Sequence, residues 1–358
     1  MNENRPSPKR SPNSTSSTKR RQFLRSGLTI TGVGATALGT RAVVASNDSD
    51  DDLPDQIQAV ERSDCDDVTF WELPASEARD GWSTPSASER YCSVPCELLE
   101  STDLEVGHQL RIDAENGSNG FDSAVYTVAS EHDDGELRLT DDGLERIGVS
   151  ADGSVTVTQL AVHSTYETRQ QGRLNDEYVE YLVGEPSDAT VLALAPHGGY
   201  IEYGTDFQAE RVAETVDGVG WICSGFNNSG GALSRWHVHS TDIHPASFPK
   251  LEKTRAHEFD WSVAFHGYTS ETILVGGTAS ETDRERVVDE LETALPDTPV
   301  ELASSDASDY AGASPENVLN QAGSIGQTIQ LEQPTDIRQK EWAVVADAVA
   351  SALEDLTE

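Results

Sequence analysis

Lysine is nearly missing from this chain: five in 358 residues, and only Lys250, Lys253 and Lys340 lie beyond the first twenty positions. Lysine and arginine together number 25 against 63 aspartates and glutamates, a net charge of −38. A nucleic-acid partner is excluded, because the basic patch that phosphate neutralisation needs is absent. The apolar stretch Gly27–Ala45 is broken by Arg41 and is too short for a transmembrane span. No GxSxG frame occurs, and the nearest Ser-Gly pair, Ser224-Gly225, lacks it, which argues against a nucleophile-elbow hydrolase. GxGxxG and P-loop patterns are also missing, so no phosphate-cradling loop is expected. Cysteines number four: Cys65, Cys92, Cys96 and Cys223. The pair Cys92/Cys96 has no second pair at ligand spacing, which argues against a cysteine-held zinc.

What is abundant is acid. Met1–Ala45 holds eight basic residues and one acid, Glu3, so the rest sets seventeen basic residues against sixty-two acidic ones. Such a composition can mean disorder, but apolar periodicity runs through most of the chain. A folded protein with an acid-coated surface fits better, kept soluble in high salt where its self-repulsion is screened. That points to a salt-loving source. Near the amino terminus, Lys19-Arg20-Arg21-Gln22-Phe23-Leu24-Arg25 has the form of a twin-arginine signal, and Val43-Val44-Ala45 offers a small-residue cleavage site. The expectation is export of the folded protein by the Tat machinery to the cell surface or beyond, with an uncleaved signal as a possible anchor. Export favours disulfides. Cys65 with Cys92 or Cys96 is the expected bridge, and Cys223 in Val219–Cys223 reads as a buried small hydrophobe.

Four segments follow. Residues 1–45 are the signal, and 46–90 an acidic, irregular linker that contains Asn47–Asp52. Residues 91–163 alternate apolar and polar residues in short runs, His108–Ile112, Ala124–Val128, Glu136–Leu139 and Ser154–Thr158, punctuated by Asn-Gly and Asp-Gly turns. They predict a small barrel-like β domain with an accessory role, covering the active site, binding polymer or simply extending the structure. Residues 164–358 alternate strand and helix patterns, which predicts an α/β domain.

Within that domain, Val191–Ala195 is a continuous apolar run, the pattern of a parallel strand buried on both faces. Pro196, lacking an N–H, is expected to end the ladder. His197, Gly198-Gly199 and Glu202 follow at the carboxyl edge, where α/β sheets usually bind ligands. Imidazole and carboxylate five residues apart across a glycine turn can converge on one ion. Trp261–Phe265 repeats the design and ends in His266-Gly267. Two such strands side by side would bring His197, Glu202 and His266 to one edge. Thr205–Val216 has helical spacing with Thr205 or Asp206 as its cap. Arg235–Thr241 reads as a short strand with His237 and His239 on one face. Thr328–Glu332 is a late strand, with Arg338 six residues on.

The ordered motifs His197-Gly-Gly-Tyr-Ile-Glu202, Trp236-His237-Val-His-Ser240, Ala264-Phe-His266-Gly267 and Gly326–Glu332 with Arg338 resemble those of the poly-γ-glutamate hydrolase family, known from bacteriophages and related to zinc carboxypeptidases. The resemblance runs from about Tyr178 to the end. The second motif carries an extra His239, and neither the β domain nor the signal belongs to the family pattern. The resemblance implies a zinc-carboxypeptidase-like mixed sheet flanked by helices and one Zn²⁺ per chain, held by His197, Glu202 and His266. It implies cleavage of γ-glutamyl amide bonds, with Glu332 as general base. His237 would stabilise the oxyanion or hold substrate, and Arg338 would pair with a substrate carboxylate. Another zinc peptidase or amidase of this fold, or a polymer-binding surface protein without activity, are the alternatives.

Overall fold

The computed structural model describes residues 57–59, 88–101, 106–116, 120–132, 137–139, 141–149, 155–160, 166–304 and 310–357. The twin-arginine motif, the acidic Asn47–Asp52 run and Cys65 lie outside the described residues. No disulfide joins Cys92, Cys96 and Cys223 to one another.

The amino-terminal unit is a six-stranded sheet. Its strands are β1 (Ile57–Ala59), β2 (Tyr91–Pro95), β3 (Gln109–Asn116), β4 (Gly120–His132), β5 (Arg138–Leu139) and β6 (Val155–Leu160), in the order β1-β6-β3-β4-β2-β5. Helices α1 (Cys96–Ser101) and α2 (Asp141–Ile147) accompany it. The period-2 pattern decides which face is buried: Leu110 and Ile112 on β3 meet Ala124, Tyr126 and Val128 on β4 in one core. β1 shows that residues before Tyr91 contribute a strand to this sheet.

The larger unit is built on a seven-stranded mixed sheet. Its strands are β7 (Tyr178–Val183), β8 (Val191–Gly199), β9 (Val219–Gly225), β10 (Trp261–Gly267), β11 (Ile273–Gly276), β12 (Val300–Leu302) and β13 (Thr328–Gln333). The order is β12-β11-β13-β10-β8-β9-β7. The middle four, β13, β10, β8 and β9, are parallel. Around them lie α3 (Arg169–Asn175), α4 (Thr205–Thr215), α5 (Ala232–Trp236), α6 (Pro249–Thr254), α7 (Glu281–Ala294), α8 (Val318–Ala322), α9 (Thr335–Lys340) and α10 (Trp342–Thr357). Two cores result, one on each face. Val191, Ala193 and Ala195 of β8 enter the core under α4, α7 and α10, while Leu192 and Leu194 enter the opposite one. The unbroken apolar run is needed because both faces are covered, and each fully buried Leu or Val contributes roughly 1.5–3 kcal/mol. No helix among the described residues is long and apolar enough to cross a membrane.

Three local expectations are corrected. Pro196 does not end β8. The strand continues to Gly199, and the β8–β9 register shifts between Ala195 and Gly198, so the proline sits where the ladder is irregular. The cap of α4 is Gly204 at φ 102°, because the Asp206 side chain is committed elsewhere. Arg235–Thr241 is not a strand: α5 ends at Trp236, and His237–His239 form an irregular connection.

Candidate metal centre

β8 and β10 are neighbours in parallel register, and β13 lies on the far side of β10 with Glu332 opposite His266. That register places three ends of apolar strands together: His197 late in β8 with Glu202 just beyond it, His266 at the end of β10, and Glu332 on β13. All four side chains are buried. The loop after β8 is tightly built. Gly199 adopts φ +72°, and a Cβ there would meet the Gly225 carbonyl oxygen at 2.5 Å, so only glycine makes this turn. Asp206, fully buried, accepts from Gly199 N at 2.9 Å and Ser224 Oγ at 3.1 Å, and pairs with Arg169 Nε at 2.6 Å. Glu202 N donates back to His197 O at 2.8 Å, closing the turn so that both side chains face the same spot.

His197 Nδ1 lies 3.1 Å from Glu202 Oε1 and 3.1 Å from His266 Nδ1. His266 Nδ1 is 3.6 Å from Glu202 Oε2, which also accepts from Gly267 N at 2.9 Å. His197 Nε2 faces the Val238 carbonyl at 2.7 Å. A carbonyl only accepts, so this nitrogen carries the proton and Nδ1 presents its lone pair to Glu202 and His266. Two imidazole nitrogens at 3.1 Å need a proton or a cation between them. His266 Nε2 is buried with no hydrogen-bond partner, which is not how a structural histidine is satisfied. A donor set of two imidazoles and one carboxylate suits zinc. His237 is the fourth group. Its ring centroid lies 4.2 Å from that of His197, and ligand atoms of His197, Glu202 and His237 all fall within 4.8 Å of one another. His266 Nδ1 lies 3.1 Å from His197 Nδ1 and 3.6 Å from Glu202 Oε2, so the sequence-derived triad and the set with His237 share His197 and Glu202.

The charges agree. Burial works to raise the Glu202 carboxyl, but His197 and His266 outweigh it and hold Glu202 well below the usual range. Burial, and next the Glu202 charge, push Glu332 well above that range. Burial, and next His197, hold His237 well below the ordinary histidine value, hence neutral. Two carboxyls at one edge, one ionised and one inclined to hold a proton, have the divided character of an acid–base site.

Arg338 reaches the same edge from α9, but its guanidinium is turned inward. It donates to Tyr203 O at 3.0 Å, Gln333 O at 3.3 Å and Thr335 Oγ1 at 3.3 Å. It also packs so closely on Gly267 that a Cβ there would fall 2.1 Å from Nε. His239 stands edge-on to His237, ring centroids 5.1 Å apart. Sequence reasoning offered Asp206 only as a helix cap, and it missed Arg169, which shapes the turn with it, and Gln330. Gln330 donates to Glu332 Oε1 at 3.0 Å and accepts from Asn317 Nδ2 at 3.0 Å. The one available signal was alternation along β13, which sends Gln330 and Glu332 to the same face.

Comparison with known proteins matches residues 166–346 to a family model described as poly-gamma-glutamate hydrolase. The UPF0714 protein YndL of Bacillus subtilis (strain 168) is 28% identical over 192 residues, covering 52% of this chain and 71% of its own. The UPF0714 protein YmaC of the same organism is 33% identical over 180 residues, covering 47% and 68%. Among solved structures, zinc-free YndL is 26% identical with a TM-score of 0.42, over 50% of this chain and 90% of that one. A bacteriophage poly-gamma-glutamate hydrolase is 24% identical with a TM-score of 0.42, over 50% and 89%.

Proposed function

The chain belongs to the poly-γ-glutamate hydrolase family, hydrolases of peptide or amide bonds, and we propose that it is a zinc enzyme cleaving γ-glutamyl amide bonds of poly-γ-glutamate. The observation that carries the proposal is the convergence of His197 Nδ1, His266 Nδ1 and the Glu202 carboxylate within 3.6 Å of one another. In this reading those three hold one zinc per chain. Zinc bound there supplies Lewis acidity to water and to the scissile carbonyl. Glu332 accepts the proton of the attacking water at its carboxylate and passes it to the leaving amine nitrogen. Its raised affinity for a proton suits a group that takes one and returns it, and Gln330 fixes its Oε1. Neutral His237 donates a hydrogen bond to the carbonyl oxygen as negative charge develops there. Arg338, beside Glu202 and Glu332, lends positive charge to this edge and ties the Glu202 turn to the end of β13; the two N–H groups not donated to those three oxygens are offered to a substrate carboxylate.

Support for export comes from the twin-arginine motif at Lys19–Arg25, which would deliver the enzyme folded and loaded. Support for work in concentrated salt comes from the net charge of −38, which at low ionic strength repels a polyanionic substrate. The test is release of new amines from poly-γ-glutamate in molar salt by the wild type and by Glu332→Gln. Amine release by the wild type alone is expected. A wild type that releases none from the polymer but cleaves α-peptides would replace this reading with another zinc peptidase.

A further inference from the structure

Among the described residues, the β domain reaches the backbone of the centre through Arg111. Arg111, on β3, donates from Nη1 to the backbone carbonyl of His237 at 2.6 Å. His237 is the residue that closes α5, its own N–H donating to Leu233 O at 3.1 Å. A cation at that carbonyl also meets the negative end of the short helix. The next carbonyl along the chain, Val238 O, is the one that His197 Nε2 faces at 2.7 Å. The two successive carbonyls therefore have different partners. One is held by the β domain and the other sets which nitrogen of His197 carries the proton. Arg111 is felt electrostatically at Tyr178 as well, whose hydroxyl donates to Pro196 O, the residue before His197, at 3.4 Å.

The rest of this strap, from His237 to Glu252, is anchored to the same domain. Gln109 Nε2 donates to Ser247 O at 2.6 Å, Ser247 Oγ to Val125 O at 2.7 Å, and Arg90 Nε to Ala246 O at 2.8 Å. Arg90 pairs with Glu252, and Arg146 reaches Ser247 Oγ. Yet the family match begins only at residue 166, so the β-domain partners in these bonds, Arg90, Gln109, Arg111, Val125 and Arg146, all lie outside it.

We propose that Arg111 is a positioning residue of the metal centre: through the His237 carbonyl it fixes the strap whose Val238 carbonyl holds His197 with Nδ1 turned to the metal. The β domain is then part of the active site's support. The proposal rests on the reading of His197, Glu202 and His266 as ligands, and is independent of the substrate. Loss of an outer partner of a ligating histidine usually weakens metal binding 10–100-fold.

The experiment uses the full chain in molar salt with cobalt(II) as the probe, reading affinity by chelator competition and geometry from the visible absorption of the bound ion. Arg111→Met is expected to weaken binding about 10–100-fold and shift the absorption. Gln109→Leu, which loosens the same interface ten residues down the strap, should match the wild type in both. Should Arg111→Met fail to fold, Arg111→Lys carries the test: its point-charge donor on a different stem should restore part of the affinity, leaving about a threefold or larger loss. Wild-type affinity and absorption in the folded Arg111 variants, or an equal loss in Gln109→Leu, would overturn the proposal and leave the metal reading intact. A wild type that binds no cobalt would sink both.

Discussion

In the proposed mechanism the chemistry turns on Glu332, whose surroundings were only half legible. Its position late in a strand and the family resemblance both pointed to it, and β13 brings it opposite His266. The chain of hydrogen bonds from Asn317 through Gln330 that holds it was not legible, because Asn317 lies outside the strand and reaches it only in the fold. Glu332→Gln keeps size and hydrogen bonding but cannot accept the proton. Turnover is expected to fall about 10²–10⁴-fold, with zinc content unchanged. Retention of turnover within a few-fold would assign the proton transfer elsewhere. His197 and His266 were legible because each stands between an apolar run and a glycine, and Glu202 because it follows the first glycine turn. The His237 backbone was misread as a strand: Arg235-Trp-His-Val-His239 alternates in sequence, but helix α5 consumes its first half. A five-residue helix is too short to leave a periodic signal.

Elements explain the turn on which the ligands stand. The half-buried Arg169 pairs with the buried Asp206, tying α3 to α4, and Asp206 also accepts the Gly199 N–H. Asp206→Ala leaves the buried Gly199 N–H without its acceptor, and a cost of about 1–3 kcal/mol is expected from denaturant unfolding in high salt. A change below about 1 kcal/mol would show that the turn stands without it. Glu180 on β7 offers a test by pH. Its Oε1 accepts from Trp221 Nε1 at 2.8 Å, Lys250 N at 2.9 Å and Leu251 N at 2.8 Å, at the start of α6. Burial outweighs these donors and raises its carboxyl above the ordinary value. A group raised in the folded state gives stability that is complete below its unfolded pKa and is lost as pH rises through the folded one. The wild type should therefore lose stability relative to Glu180→Gln as pH rises above the ordinary glutamate range. Unfolding midpoints taken at both ends of that window check this, and a constant difference would mean that Glu180 is ionised throughout.

At the scale of the whole molecule, the sequence pattern carried the architecture: one β unit, then a mixed sheet covered on both faces. Period 2 with Asn-Gly and Asp-Gly turns marks the first, and continuous apolar runs mark the second. How the two meet could not be read, since Arg111, Gln109 and Arg90 look like ordinary polar residues on a β sheet until the strap at 237–252 is laid against them. Charge acts at this scale too. With 63 acids against 25 bases, the molecule repels a polyanion in dilute buffer. At about 1 M salt the Debye length falls to about 3 Å, and that repulsion is screened. Turnover of poly-γ-glutamate per unit substrate should rise from dilute to molar salt, whereas a maximum in dilute buffer would contradict the salt-adapted reading.

Everything above depends on a metal at the carboxyl edge of β8 and β10. The direct measurement is zinc content per chain for protein purified in high salt, comparing the wild type with His197→Ala, His266→Ala and Glu332→Gln, each checked for folding. About one zinc per chain in the wild type and in Glu332→Gln, lost from both histidine variants, is the predicted result. A folded wild type without zinc, or histidine variants that keep it, would contradict the account.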